Sequence, residues 1–125
     1  MDHMSGLHNF FWKQGVNLTA MWTTRHSKSF NKAEFENCPY EWNDWATYAQ
    51  LRKGNRNNEK VQVLNPMAGD DGELWSKDGI KILSPTPELL AYCNKTDDWN
   101  DSSLVLAIEY GGRRVILPGD AEKPA

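Results

Sequence analysis

The chain is poor in the residues that fix a compartment or a partner by themselves. Among 125 residues there are two cysteines and three histidines. Cys38 and Cys93 lie far apart and form neither a Cys-x-x-Cys pair nor a zinc-ribbon spacing, so they read as thiols rather than a disulfide and set no redox compartment. Long apolar runs are missing too: the longest, Leu104 to Ile108, falls far short of the ~18 residues needed to cross a bilayer. Met1-Asp2-His3-Met4 has no cationic segment leading into an apolar one, so no signal peptide is read and the default location is cytoplasmic. Nor is there an excess of one charge. Fourteen Lys and Arg against 17 Asp and Glu leave a net charge of −3, which implies no field strong enough to steer nucleic acid or an anionic membrane, though a local basic patch is compatible with it. No internal repeat or low-complexity tract occurs.

What is present suits a folded body. Hydrophobic residues make up 39% and six are tryptophan, and the length suffices to bury one core without disulfides or metals. The best local structure is Ser102 to Asp120, where two aliphatic runs flank Gly111-Gly112. A two-residue turn needs positive φ at both positions, which glycine supplies, so the spacing predicts a hairpin with Tyr110 opposite Arg113 and Glu109 opposite Arg114. Strands this apolar are expected to be buried on both sides. Pro118-Gly119 ends the ladder and leaves Asp120 at a strand's C-terminal edge.

Upstream, Met4, Leu7, Phe10 and Phe11 recur at helical spacing and predict a helix from Ser5 to Gln14. Val16 to Trp22 alternates as a strand. Thr23 to Asn43 is long, polar and aperiodic, the kind of connection that is uncommon unless functional, and substrate selectivity is expected there. A helix follows from Asp44, capped by Asn43 or Asp44 and closed by Arg52-Lys53-Gly54. Asn55 to Lys60 reads as a connector. Short strands are expected at Val61 to Leu64, Glu73 to Trp75 and Ile80 to Leu83, then one helical turn at Glu88 to Tyr92 and a polar stretch from Asn94 to Ser102.

Asp2-His3, just ahead of a helix, offers a carboxylate and an imidazole from one rigid support, and both are good zinc ligands. A solvated pair interacting with the helix dipole explains the same dipeptide. The order Asp2-His3 with Gly6-Leu7, a helix, a Val/Trp strand, Leu83-Ser84-Pro85, Asn100-x-Ser102-Ser103-Leu104-Val105-Leu106, Gly111-Gly112 and a strand ending in Gly119-Asp120 resembles the metallo-β-lactamase superfamily, closest to the branch related to the hydrolase domain of competence DNA-uptake proteins. The resemblance spans most of the chain. It implies an α/β fold, a partial αββα sandwich with a mixed sheet and flanking helices. Asp2-His3 match the end of the family's His-x-His-x-Asp-His signature, Asp120 matches its metal-bridging aspartate, and Asn100, Ser102 and Ser103 match the Asn-x-x-Ser ahead of the penultimate strand.

The departures are equally specific. The leading His-x-His would fall just before Met1, the family's C-terminal histidine would fall beyond Ala125, and the mid-chain histidine has no counterpart, His26 sitting in the long loop and Asn100 nearest the expected place. Residues 1–125 are therefore expected to be an incomplete domain that starts inside the motif. The resemblance implies Asp2, His3 and Asp120 as metal ligands, with Asp2 and Asp120 also catalytic, around two zinc ions in the complete domain that ready a water for attack on phosphodiester or ester-like bonds. Alone, the chain is expected to be inactive and to self-associate through a sheet edge left uncovered. The alternative is a binding or scaffold module that keeps the fold without metal chemistry. Elsewhere, His8 points away from His3 on a helix and reads as a surface residue, as does His26. Trp22, Trp42, Trp45, Trp75 and Trp99 suit core packing better than a stacking groove, and Asp97, Asp98 and Asp101 suit a solvated loop because they lack calcium-loop spacing.

Overall fold

In the first stretch the stripe of Leu7, Phe10 and Phe11 does wind into a helix, but a wider one than expected. The computed structural model describes residues 2–122, without the Asp2 side chain. Within it, His8–Lys13 forms a π-helical segment whose Gln14 N–H donates to the Asn9 carbonyl at 2.9 Å, the five-residue reach that defines this rare turn. Phe10 and Phe11 meet edge to face, 5.0 Å between ring centres.

The described residues divide into two units, one made of residues 2–23 with Ser29–Leu64, the other of Thr24–Lys28 with residues 65–122. The first is built on a strand-helix-strand crossover. Strand β1 (Ala20–Trp22) is shorter than the alternating run suggested. Helix α1 (Trp42–Arg52) follows, then a small hairpin of β2 (Asn55–Arg56) and β3 (Glu59–Lys60), and β4 (Gln62–Leu64), which pairs parallel with β1, Ala20 facing Gln62 and Trp22 facing Leu64. Parallel strands need such a crossover, and a helix is its usual form. The hairpin replaces the expected connector because Asn57 and Asn58 both adopt positive φ, which asparagine tolerates in a two-residue turn.

Helix α1 buries Trp45, Thr47 and Leu51, and Val61 joins the core. Its start differs from the expected one. Glu41 stands at the N-cap and Asp44 lies inside the first turn, its carboxylate drawn to groups far away in sequence. The polar stretch before it is also tied down. Asn31 and Glu34 close a reciprocal capping box around a 3₁₀ turn, Lys32–Phe35, and aromatic rings do the rest. Phe30 packs edge to face on Trp45 at 4.9 Å and on Phe35 at 5.6 Å, and Phe35 meets Trp42 at 5.5 Å. Hydrophobic anchors spaced irregularly give no period to read, yet they hold this segment to α1.

The second unit is a three-stranded antiparallel sheet with one helix. Strand β5 (Ile80–Ser84) leads into α2 (Pro87–Thr96), and β6 (Val105–Tyr110) and β7 (Arg113–Leu117) form the closing hairpin, in the order β5-β6-β7. The predicted register holds, with Tyr110 facing Arg113 and Glu109 facing Arg114. Helix α2 is longer than one turn because Thr86 accepts the Leu89 N–H at 3.1 Å and Pro87 occupies its first position, a strong start signal. Leu90 and Cys93 face inward from it. Glu73 to Trp75 is a turn and not a strand: Trp75 is buried and its indole N–H donates to the Asp70 carbonyl at 3.1 Å, which three residues of alternation cannot outweigh.

At Gly79, φ is 71° and a Cβ would stand 2.3 Å from the Glu109 carbonyl oxygen, while the Glu109 N–H donates to the Gly79 carbonyl at 2.9 Å. Only glycine permits this approach of two backbones. The Glu109 side chain accepts from Arg114 Nε at 2.9 Å and lies 3.3 Å from Lys81 Nζ. Burial on both faces, expected for the whole hairpin, is not found. In β6 one face, Val105 and Ala107, is buried while Leu106 and Ile108 are half-buried, and all five residues of β7 are exposed, β7 being the edge strand among the described residues. The described residues thus form a mixed α/β fold with small sheets.

Candidate functional site

The residue with the best-defined setting among the expected ligands is Asp120, which sits just past β7 and is exposed. Its backbone N–H donates to Ser103 Oγ at 3.2 Å. Two residues on, the Glu122 N–H donates to the Asp101 carboxylate at 2.9 Å, and Asn100 Nδ2 donates to Glu122 Oε1 at 2.8 Å. The receiving segment is a 3₁₀ turn, Asn100–Ser102, in which Ser102 Oγ donates to the Trp99 carbonyl at 2.6 Å. The run Asn100-Asp101-Ser102-Ser103 thus clamps the chain that carries Asp120. This corrects the reading of Asp101 as a solvated loop residue: it is buried because its carboxylate receives a backbone N–H from the far end of the chain.

His3 lies in a 3₁₀ turn, Asp2–Met4, and is exposed; the Asp2 side chain lies outside the described residues. His3 belongs to the first unit and Asp120 to the second. Among the described residues, no three His, Cys, Asp or Glu side chains gather in a group able to hold a metal ion.

The chain matches no family model, no curated protein and no solved structure. Its chemistry is therefore read from its own residues.

One polar constellation went unread in the sequence. Asp44, 7% exposed, accepts the Gly6 N–H at 3.0 Å and the His8 N–H at 2.9 Å, so it caps the π-helical segment from a distance. His8 is half-buried, not a surface residue: Nδ1 is 3.0 Å from Thr47 Oγ1, and its ring lies near-parallel to Trp12 at 6.5 Å. Beside them is an open recess of about 420 Å³ that includes Ser5, His8, Lys13, Tyr40 and Glu41 in its lining. It presents one cation, Lys13, and two carboxylates, Glu41 and Asp44, beside an imidazole, a mixture that selects no one sign of ligand. The only sequence signal was an aspartate at the expected start of a helix, with nothing to say which distant N–H groups it would meet.

The remaining candidates fall into structural roles. Trp45 and Trp75 are buried, and Trp22, Trp42 and Trp99 half-buried, in line with packing. Lys28 Nζ lies 5.7 Å from the centre of the Trp99 ring, a cation-π distance. The long loop is shared between the units. Ser27 N–H donates to Asn94 Oδ1 at 2.8 Å, and Asn94 Nδ2 donates to the Arg25 carbonyl at 3.1 Å, so residues 24–28 are strapped onto the C-terminal half of α2. Arg25 Nε donates to Asn65 Oδ1 at 2.9 Å. No described helix is long and apolar enough to cross a membrane.

Proposed function

We propose that this chain is part of a metallo-β-lactamase-type hydrolase domain, in full an αββα sandwich, to which it contributes Asp2, His3 and Asp120 as zinc ligands for the hydrolysis of phosphodiester or ester-like bonds. The observation that carries the reading is the setting of Asp120: a carboxylate on the Pro-Gly turn that follows a strand's C-terminal end, on a segment clamped by Ser103 and Asp101, which is how a rigid scaffold presents a ligand. The mixed α/β fold and the Asp-His pair ahead of a helix are in keeping with it.

The donors in hand do not fit a complete centre. Three ligands are too few for two ions, and among the described residues no three potential ligands gather. Further donors would have to come from outside these residues. That shortage favours the second reading, a binding or scaffold module without metal chemistry.

Zinc titration by calorimetry separates the two, together with turnover of an activated phosphodiester, on this chain and on a version extended by its neighbouring coding sequence. The extended protein is expected to take up two zinc ions and to hydrolyse the ester, losing both with Asp120→Asn; the 125-residue chain is expected to do neither. An extended protein that binds no zinc would sink the hydrolase reading. Tight uptake of two ions by the short chain would sink the donor count.

A further inference from the structure

Strand β7 closes its sheet, and among the described residues no strand pairs with its outer edge. Val115, Ile116 and Leu117 are 55%, 45% and 45% exposed, and the strand order β5-β6-β7 makes β7 an edge. Around a two-residue turn the closing pair, Tyr110 and Arg113, exchanges hydrogen bonds, and alternation then turns the N–H and C=O groups of residues 113, 115 and 117 toward β6. Those of Arg114 and Ile116 point outward. The Glu109 N–H bond to the Gly79 carbonyl on the other side of β6 obeys the same alternation. Native edges are usually blunted by charge or proline. Here Arg113 and Arg114 guard one end and Pro118 stands just past the other, which leaves Val115 to Leu117 as an unguarded apolar edge.

We propose that β7 pairs antiparallel with β7 of a second copy of this chain, about a two-fold axis at Val115. In that register Arg114 of each copy faces Ile116 of the other, and the two pairs exchange all four of the outward N–H and C=O groups. Arg113 faces Leu117, so no arginine opposes another. Moving the axis to Arg114 sets two guanidinium groups face to face, and moving it to Ile116 sets Arg114 against Pro118, which has no N–H to give. Parallel pairing would run the arginines of both copies alongside each other. Arg114 brings little charge of its own, because Glu109 already accepts from it. The edge is thus self-complementary in one register, and the three strands of each copy join into a continuous sheet.

An interface of one short strand pair lies at the small, weak end of protein association, so a Kd on the order of 10–100 µM is expected. Sedimentation velocity over a concentration series spanning roughly a decade on either side of that range reads it. Val115→Arg places two guanidinium groups at the closest pair on the axis, and the position is exposed, so the variant should melt like the parent while its association weakens about tenfold or more. In a Cys38→Ser background, Val115→Cys should form a covalent dimer under mild oxidation, whereas Arg113→Cys and Leu117→Cys, displaced along the strand from their own copies, should not. A parent that stays monomeric throughout the series, association untouched by Val115→Arg, or cross-linking at 113 and 117 as ready as at 115 would each overturn the proposal.

Discussion

Replacing Asp44 tests whether a side chain on α1 holds the start of the chain in place. Its carboxylate receives two backbone N–H groups, from Gly6 at 3.0 Å and His8 at 2.9 Å, and the residue itself is buried. Hydrogen bonds to a charged acceptor contribute about 1.5–3 kcal/mol each. The lower figure applies because Gly6 is exposed and His8 half-buried, so water takes over part of the lost bonding. Asp44→Ala should therefore cost about 2–3 kcal/mol. Asp44→Asn keeps one carbonyl acceptor but turns an NH₂ group toward the second N–H, and should cost roughly half as much. Urea unfolding followed by tryptophan fluorescence gives the stability change, and amide exchange at Gly6, His8 and Phe10 locates it. A loss below about 0.5 kcal/mol for Asp44→Ala, with exchange at these amides unchanged, would show that the first helical segment does not depend on this remote cap.

Gly79→Ala should destabilise the second unit by about 2–4 kcal/mol, because it adds a Cβ against the Glu109 carbonyl at a residue with φ of 71°; the shift in urea midpoint checks it, and a neutral result would mean the two backbones separate freely. Glu109 should titrate below the ordinary carboxylate range, held there first by its hydrogen bond with Arg114 and then by Lys81. A carboxylate whose folded pKa is depressed stabilises fully above its unfolded value and loses that contribution as pH falls through the folded one, so acid should loosen the hairpin only below the usual range. Carboxyl NMR should find the titration moving upward in Arg114→Ala and in Lys81→Ala, and an unmoved curve in both would refute the assignment.

Local chemistry was legible wherever one short stretch decided the outcome. The closing hairpin follows from Gly111-Gly112, whose glycines fix both the turn and the register, and the Arg52-Lys53-Gly54 stop marked the end of α1. Asp120 as a strand-end carboxylate was readable from the Pro-Gly stop before it. What stayed hidden depends on residues that meet only after folding. The cap at Asp44 serves N–H groups 36 and 38 residues away, and Asp101 is buried by a bond from Glu122 across 21 residues. The Phe30, Phe35 and Trp42 rings organise a loop with no period at all. An uncovered sheet edge was expected, but not which strand would carry it: apolar residues in β7 resemble those of β6, and only strand order tells which of them gains a neighbour.

The strap of residues 24–28 also bears on how the chain is made and divided. Ser27 meets Asn94 across 67 residues and Arg25 does so across 69, so during synthesis the strap is finished long before the helix that receives it leaves the ribosome. Closing loops of that length is slow relative to forming helices and hairpins, and residues 24–28 must wait while the first unit assembles from the chain on both sides of them. Neither unit is one continuous stretch. A cut at residue 64 would strand this strap with the wrong half, and a second half expressed without it would leave the Asn94 amide to bond with water instead of the backbone it was built to hold.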